Sequence, residues 1–588
     1  DLHAASAWLL GDVPLRHLRM CCPRAPNSAA TAPPPNPAPG NRAENNPAAA
    51  LKLMTTAIEK NDNRAVYRSR MLLDSDAAAR SANLAGVYNT VGFDASAKVT
   101  SSHTTSASAQ NFATHYGMVA AFGHESEAQV LRSRQAFLSR IRSPIGATEL
   151  SIGVTEIGTQ VYPWISPSRI GNSEYSSLFS KSGLRGNFSA FVGSQSTKGH
   201  DWQLQTILNR TSISFGQFKY ETEGFATNND SNVQIDEATI HLNATDEWKL
   251  LFNATSRSEE GGDLSNPVDS ELFNESLRRD RSTNSFSAAT SFRLNPTTQL
   301  IGYLGQSDID STTTQSLPFP PFNIALSTKA RVENTGVQMS SEYKRTSLIL
   351  GGLTEAYSSS AQDAKLQNLY FDVQPYISNS VHFMAGVGLS EWSKTVQSAE
   401  LDDIHFDHKL GISLTPMNHF RVSIANWNAI SNFFPNGLNV HQDNIFGIST
   451  SDNTSTYTPI SASAALAAWT MGETNFTFRG FKKRYAETVI ISKENIENSI
   501  NHNGFGLDLE TMLTEKVFLN FKAELEKNQR TFNRLFTFGN LPLELNKQMI
   551  KFGGRFLISE KVSIAPELNY FWEEVRRLDT STASEENV

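Results

Sequence analysis

Between Gly504 and Glu573 hydrophobic and polar residues alternate one by one. Val517, Leu519, Phe521, Ala523 and Leu525 interleave with Phe518, Asn520, Lys522, Glu524 and Glu526. Further on, Ile550, Phe552, Gly554, Phe556 and Ile558 interleave with Lys551, Gly553 and Arg555, and Val562, Ile564, Leu568, Tyr570 and Trp572 with Ser563, Ala565, Glu567, Asn569 and Glu573. A period of two is that of an extended strand whose two faces meet different surroundings. Ser559-Glu560-Lys561 makes a short turn between the last two strands, whereas the connection before Lys547 is long and polar.

The same rhythm continues upstream. Short turns are predicted near Asn209-Arg210, Thr245-Asp246, Asn295-Pro296-Thr297, Lys344-Arg345, Ser378-Asn379-Ser380, Thr415 to Asn418, Met471-Gly472-Glu473 and Thr514-Glu515-Lys516. Long polar loops are predicted over Ser256 to Ser282, Ser307 to Thr328, Ile430 to Ser455 and Asn528 to Asn546. Between them lie two-faced strands, for example Val381, Phe383, Ala385, Val387 and Leu389 against His382 and Ser390. Strands longer than the usual ~5–6 residues, with short turns at one end and long loops at the other, describe an all-β transmembrane antiparallel barrel of about 18–20 strands over residues 184–573. Its apolar face meets lipid and its polar face the lumen; Trp202, Tyr220, Trp248, Tyr376, Trp392, Trp427 and Trp572 fall near strand ends, as an interfacial girdle requires. The competing all-β reading is a soluble sandwich or repeat stack.

The turns and the first strand, Leu184 to Ser194, count to nineteen strands, and bacterial barrels have even numbers. The expectation is therefore either a further strand within Ile152 to Ser180 or Ile430 to Ser455, or an imperfect seam between the strands near Phe188 and Tyr570.

Ahead of the barrel, residues 47–142 change to a helical period with tetratricopeptide-like spacing. Ala50, Met54 and Ala57 fit the second helix of one unit; Leu84, Ala85, Tyr88, Gly92 and Ala97 fit the next, and Phe112, Tyr116, Gly123 and Ala128 a third. The small residues mark close helix approaches and the glycines helix ends. A domain this small should lean on the barrel. Residues 143–183, with Pro144, Pro163 and Pro167, read as an irregular connector reaching the barrel mouth. Residues 1–46, with Pro33-Pro34-Pro35, read as a disordered linker or non-native segment, and 574–588 as a disordered tail. The adjacent Cys21 and Cys22 suit neither a disulfide framework nor a metal site, and the first thirty residues lack a signal-peptide layout.

Composition modifies this only slightly. The 588 residues are 39% hydrophobic, and their mean hydropathy of −0.35 conceals two-faced strands that average to neutrality. No apolar run is long enough for a transmembrane helix, and a net charge of −8 is no basis for nucleic acid as a partner. Thirteen histidines occur without HExxH or a ligand cluster, and there is no phosphate loop. The densest polar knot is Asp403, His405, Asp407 and His408; on a strand His405 and Asp407 face the lumen and His408 faces away, which disfavours a metal site. No spacing isolates a Ser, His and Asp triad, so no catalytic, cofactor or metal residue is assigned. Lys482-Lys483-Arg484 reads as a rim contacting anionic headgroups.

Three stretches carry a resemblance. Asn61 to Asp74 with Ala79-Arg80-Ser81-Ala82 and Gly92-Phe93, Glu174 to Phe179, and Phe215 to Phe225 resemble a family of bacterial outer-membrane proteins that fuse a tetratricopeptide array to a barrel like that of TonB-dependent receptors. The resemblance implies an outer-membrane location, helices in the periplasm that bind protein partners, lipid around the barrel, and no catalytic residues. The functional expectation is a non-enzymatic barrel for transport or secretion of a polar solute or polysaccharide. The alternatives are a TonB-type uptake receptor and a surface structural or binding protein without conduction.

Overall fold

The computed structural model describes residues 47–59 and 70–577, apart from isolated turn positions, 124–127, 148–181 other than Ile152, 263–275, 432–443, 450–457 and 533–541. The expectations for residues 1–46 with both cysteines, for residues 61–69, for most of the connector including Glu174 to Phe179, and for the tail beyond 577 fall outside the described residues.

From Gly183–Val192 onward each strand pairs antiparallel with the next, ending with Pro542–Ser559 against Val562–Ile564 and Glu567–Arg577. Those last two segments are halves of one strand, interrupted at Ala565 and Pro566, where a prolyl nitrogen has no proton to donate. The described strands thus make nineteen spans, and among the described residues no ladder joins the first to the last. Within Ile430 to Ser455 the structure forms only a two-residue-per-strand hairpin, Asn444–Ile445 with Ile448–Ser449, outside the main sheet.

The wall has its hydrophobic residues on the outside. Phe188, Leu204, Phe215, Val337, Leu369, Leu389, Phe505 and Phe552 are all exposed, while the inward Gln203, Gln205, Ser212, Ser214, Thr239 and Ser413 are buried. An outward apolar belt over a polar interior is the pattern of a barrel surrounded by lipid. Among the described residues no helix is long and apolar enough to cross a membrane.

The strands outrun that belt. On Thr298–Pro318 the outward positions change from Leu300 and Leu304 to Gln306, Asp308 and Asp310, yet the ladder continues to Pro318↔Pro321. The expected loop from Ser307 to Thr328 is therefore a paired hairpin. The expected loops Ser256 to Ser282 and Asn528 to Asn546 are shortened likewise by strands reaching Gly261, Arg278, Phe532 and Pro542. Once a strand leaves the hydrocarbon layer both faces meet water, so its apolar alternation stops while its backbone pairing does not.

Among the described residues five helices precede the wall: α1 (Pro47–Glu59), α2 (Arg70–Val91), α3 (Asp94–Ala107), α4 (Phe112–Ala121) and α5 (Gln129–Arg142). Gly92, at φ +83°, closes α2 and turns the chain into α3. Gly117 of α4 lies so near α2 that a Cβ there would stand 3.2 Å from the Ala82 backbone. Ala97, Ala121 and Ala128 are buried with Met118, Phe122 and Leu131 where α3, α4 and α5 meet. From Ala79 to Val87 of α2 nearly every residue is buried, because α1, α3 and α4 all pack on this helix.

Candidate functional site: a plug seated in the barrel mouth

The helices lean on the barrel from within its short-turn end, and the wall finishes their termini. A helix start leaves N–H groups unpaired and a helix end leaves carbonyls unpaired. Glu510, four residues before the end of Glu494–Thr514, receives the N–H groups of Ala95 and Ser96 at 2.8 and 3.1 Å and the Ser96 hydroxyl, so a lumenal carboxyl group caps α3. Lys249, second in its strand, donates to the carbonyls of Arg142 and Ser143 at 2.9 and 2.7 Å beyond α5. Asn520 donates to the Gly92 carbonyl at 2.7 Å and Arg555 to that of Thr90, closing α2. The arrangement matches what helix ends lack: acceptor oxygens at an N-terminus and donors at C-termini.

Between these caps run direct contacts. Arg140 makes two hydrogen bonds to Glu237, 2.7 and 3.0 Å, with both groups largely buried, the bidentate geometry that gives an ion pair direction. Gln110 bridges Glu342, Thr297 and Ser340. Phe93 packs edge-on against Phe518, and Leu138 and Ile141 pack on Leu251, Ala289, Ile301 and Tyr303. Ile152 of the connector is buried on Phe218, Val233 and Ile235, and Gln205 donates to Ala147. Partners thus come from both ends of the strand order, from Gln205 to Leu557, around one small bundle. The sheet must curl around the helices to supply them.

A second element reaches the plug from the long-loop side. The hairpin at Asn444–Ser449 enters the lumen, burying Ile445 and Phe446 against Met384, Ala425, Trp427 and Ile460. Gly411 makes room: a Cβ there would lie 2.3 Å from Ile445 Cγ2. Asn444 donates to Ser102 of α3 at 2.8 Å. Beside it, His103 of α3 and His382 of the wall place their Nε2 atoms 3.2 Å apart, with Phe446 edge-on to His382. Burial, then the Arg421 and His382 charges, hold His103 well below the ordinary imidazole pKa. At the other side of the plug, burial lowers the Arg142 guanidinium to about 10, against the opposing influence of Glu342.

The residues singled out by sequence are placed differently. His405 and Asp407 face the lumen with Nε2 3.9 Å from Oδ1, and Asp407 is held by Asn368 and Ser390. His408 faces outward to Asn426. Among the described residues no group of three metal-ligating side chains forms. Lys482 and Arg484 face outward, whereas Lys483 faces the lumen beside Phe481. Glu510, Glu237, Lys249, Asn520 and Gly411 were not foreseen. Their signal in the sequence is faint: most are charged or amide residues on the lumenal phase of a strand, close to a short turn.

No protein-family model matches the chain, and no curated protein matches its sequence. Among solved structures it is similar to the FrpB iron transporter from Neisseria meningitidis, with 10% identity, 68% of this chain and 75% of that one covered, and a TM-score of 0.48. It is similar also to the alcaligin outer-membrane receptor FauA from Bordetella pertussis, at 10% identity, 67% and 76% coverage and 0.45. The copper transporter OprC matches at 8% identity, 64% and 66% coverage and 0.48.

Proposed function

We propose that this chain is a non-enzymatic outer-membrane transport barrel whose helical bundle is its gate. The observation that carries this is the seat: wall side chains cap three helix termini inside the short-turn mouth, which in bacterial barrels faces the periplasm. A conduit kept shut by a docked domain suits uptake through a plugged receptor of the TonB-dependent type better than constitutive passage of a polar solute or polysaccharide. In this reading the plug is helical and built from residues 47–142, the outer hairpin contacts it from the opposite side, and periplasmic partners act on the helices' mouth-facing surface. The paired helices and their closing glycines support diverged tetratricopeptide units.

The test is conductance of the refolded full chain in planar bilayers. The wild type is expected to be nearly closed, and Glu510→Ala combined with Arg140→Ala to show frequent openings, since both remove seat contacts without touching the lipid face. Unheated gel migration establishes that the variant barrel has folded. A large, steady conductance in the wild type, unchanged in the variant, would overturn the gate.

A further inference from the structure

The strand Thr474–Ile491 carries two outward cations, Lys482 and Arg484, both exposed. They share a face because they are two residues apart, and Phe478, exposed on the same face, marks the apolar belt below them. On one neighbouring strand their register partners are Ser463 and Ser461; on the other they are Asn503 and Asn501. Immediately below, Gly480 is paired with the exposed Phe505. Two cations thus sit at the upper edge of the lipid-facing belt, with hydroxyls and amides, and no carboxylate, as their register partners on both sides.

Elsewhere on the outward face the extended strands treat cations differently. Arg331 is 2.7 Å from Asp308, Lys329 is 3.7 Å from Asp310, Lys198 is 2.8 Å from Glu221 and Arg278 is 2.6 Å from Asp230. For the first three the carboxylate is on the adjacent strand; for Arg278 it precedes the strand Ser231–Asn243. Among the described residues Lys482 and Arg484 have no ion-pair partner.

We propose that Lys482 and Arg484 form a binding site for the phosphate groups of an anionic lipid in the leaflet on the long-loop side. The arginine fork takes two phosphate oxygens and the lysine supplies a point charge. Ser461, Ser463, Asn501 and Asn503 offer neutral donors that add hydrogen bonds without repelling the anion. Acyl chains descending from such a headgroup would lie over Phe478 and Phe505. This site rests on the membrane reading above and adds to it a fixed lipid.

The full chain is folded in detergent, exchanged into nanodiscs containing lipopolysaccharide with intact phosphates or the same lipid after phosphatase treatment, and lipid retained after stringent detergent washing is counted by mass spectrometry. The wild type should retain the phosphorylated form; Lys482→Gln with Arg484→Gln should lower retention by roughly tenfold. Arg331→Gln, which removes a paired cation, should leave it unchanged. Equal retention by wild type and double variant, equal retention of both lipid forms, or displacement by an equal concentration of inorganic phosphate would overturn the site. Heat-dependent gel migration separates the two levels: an inserted chain without phosphate preference contradicts the site alone, whereas a chain that never inserts removes the membrane reading and the site with it.

Discussion

The barrel wall inverts the usual relation between burial and polarity, whereas the plug keeps an apolar core and adds buried polar groups to it. In the wall, phenylalanines and leucines are exposed and glutamines, serines and threonines are buried, because lipid lies outside and protein inside. In the plug alanines and serines are buried beside ordinary apolar side chains, Phe93, Met118, Phe122, Leu131 and Ile141, together with Arg132 and Arg134. Small residues let helices approach one another, and polar ones meet a lumen that is itself polar. The wall is held by ladder hydrogen bonds on both sides of nearly every strand. The plug is held by caps at its helix ends, by the Arg140–Glu237 pair and by apolar packing such as Leu138 and Ile141 on Leu251 and Ile301.

The largest effect expected from this contrast is on the lipid side of the wall. Phe521 faces outward opposite Phe552, itself exposed, and Lys522 faces inward, 2.9 Å from Glu524. Phe521→Arg should cost about 2–4 kcal/mol of folding into vesicles if it lies near the midplane. Lys522→Arg should change little. Urea titrations of the two variants giving equal shifts would refute the assigned faces.

A smaller effect is expected where plug, wall and hairpin meet. Gly411→Val places methyl groups in the space of Ile445, and overpacking of this kind costs about 1–3 kcal/mol. The hairpin should leave its pocket, seen as faster proteolysis between residues 432 and 457 while the heat-stable barrel persists. Unchanged proteolysis would mean that the hairpin is not packed there.

The smallest expected effect, and the one that grows with acidity, concerns His103. Its pKa is lowered in the seated plug, so the unseated form binds more protons below the free value of about 6.5. Seating is at full strength above that pH and weakens as pH falls below it, by up to about 1.4 kcal/mol per unit until the seated imidazole itself titrates. Arg421 and His382 face the same ring and add repulsion once it is charged. The protection factor of α3 amides, the observed exchange rate referred to the intrinsic rate at each pH, should fall on acidification in the wild type and fall less in His103→Gln. Identical pH profiles would remove His103 from the seat.

The sequence by itself determined the antiparallel barrel, its lipid and lumen faces and its short turns, because those features follow from a local period of two imposed by lipid on one side. The strand between Val517 and Leu525 is legible without any partner for that reason. It also showed the close helix approach at Ala97 and Ala128, where a small side chain recurs at a fixed interval. Strand length beyond the membrane was illegible: water on both faces erases the alternation from Gln306 onward, and only the paired backbone reveals the continuation. The seat was equally hidden. Glu510 capping α3 joins residues more than four hundred positions apart, and nothing local distinguishes that carboxylate from any other on the lumenal face. The splitting of Lys482, Lys483 and Arg484 between outside and inside follows from strand geometry, but the missing counter-charge depends on which strands lie alongside. Such neighbours are set by the pairing and register of the strands in the wall, and that choice belongs to the tertiary structure.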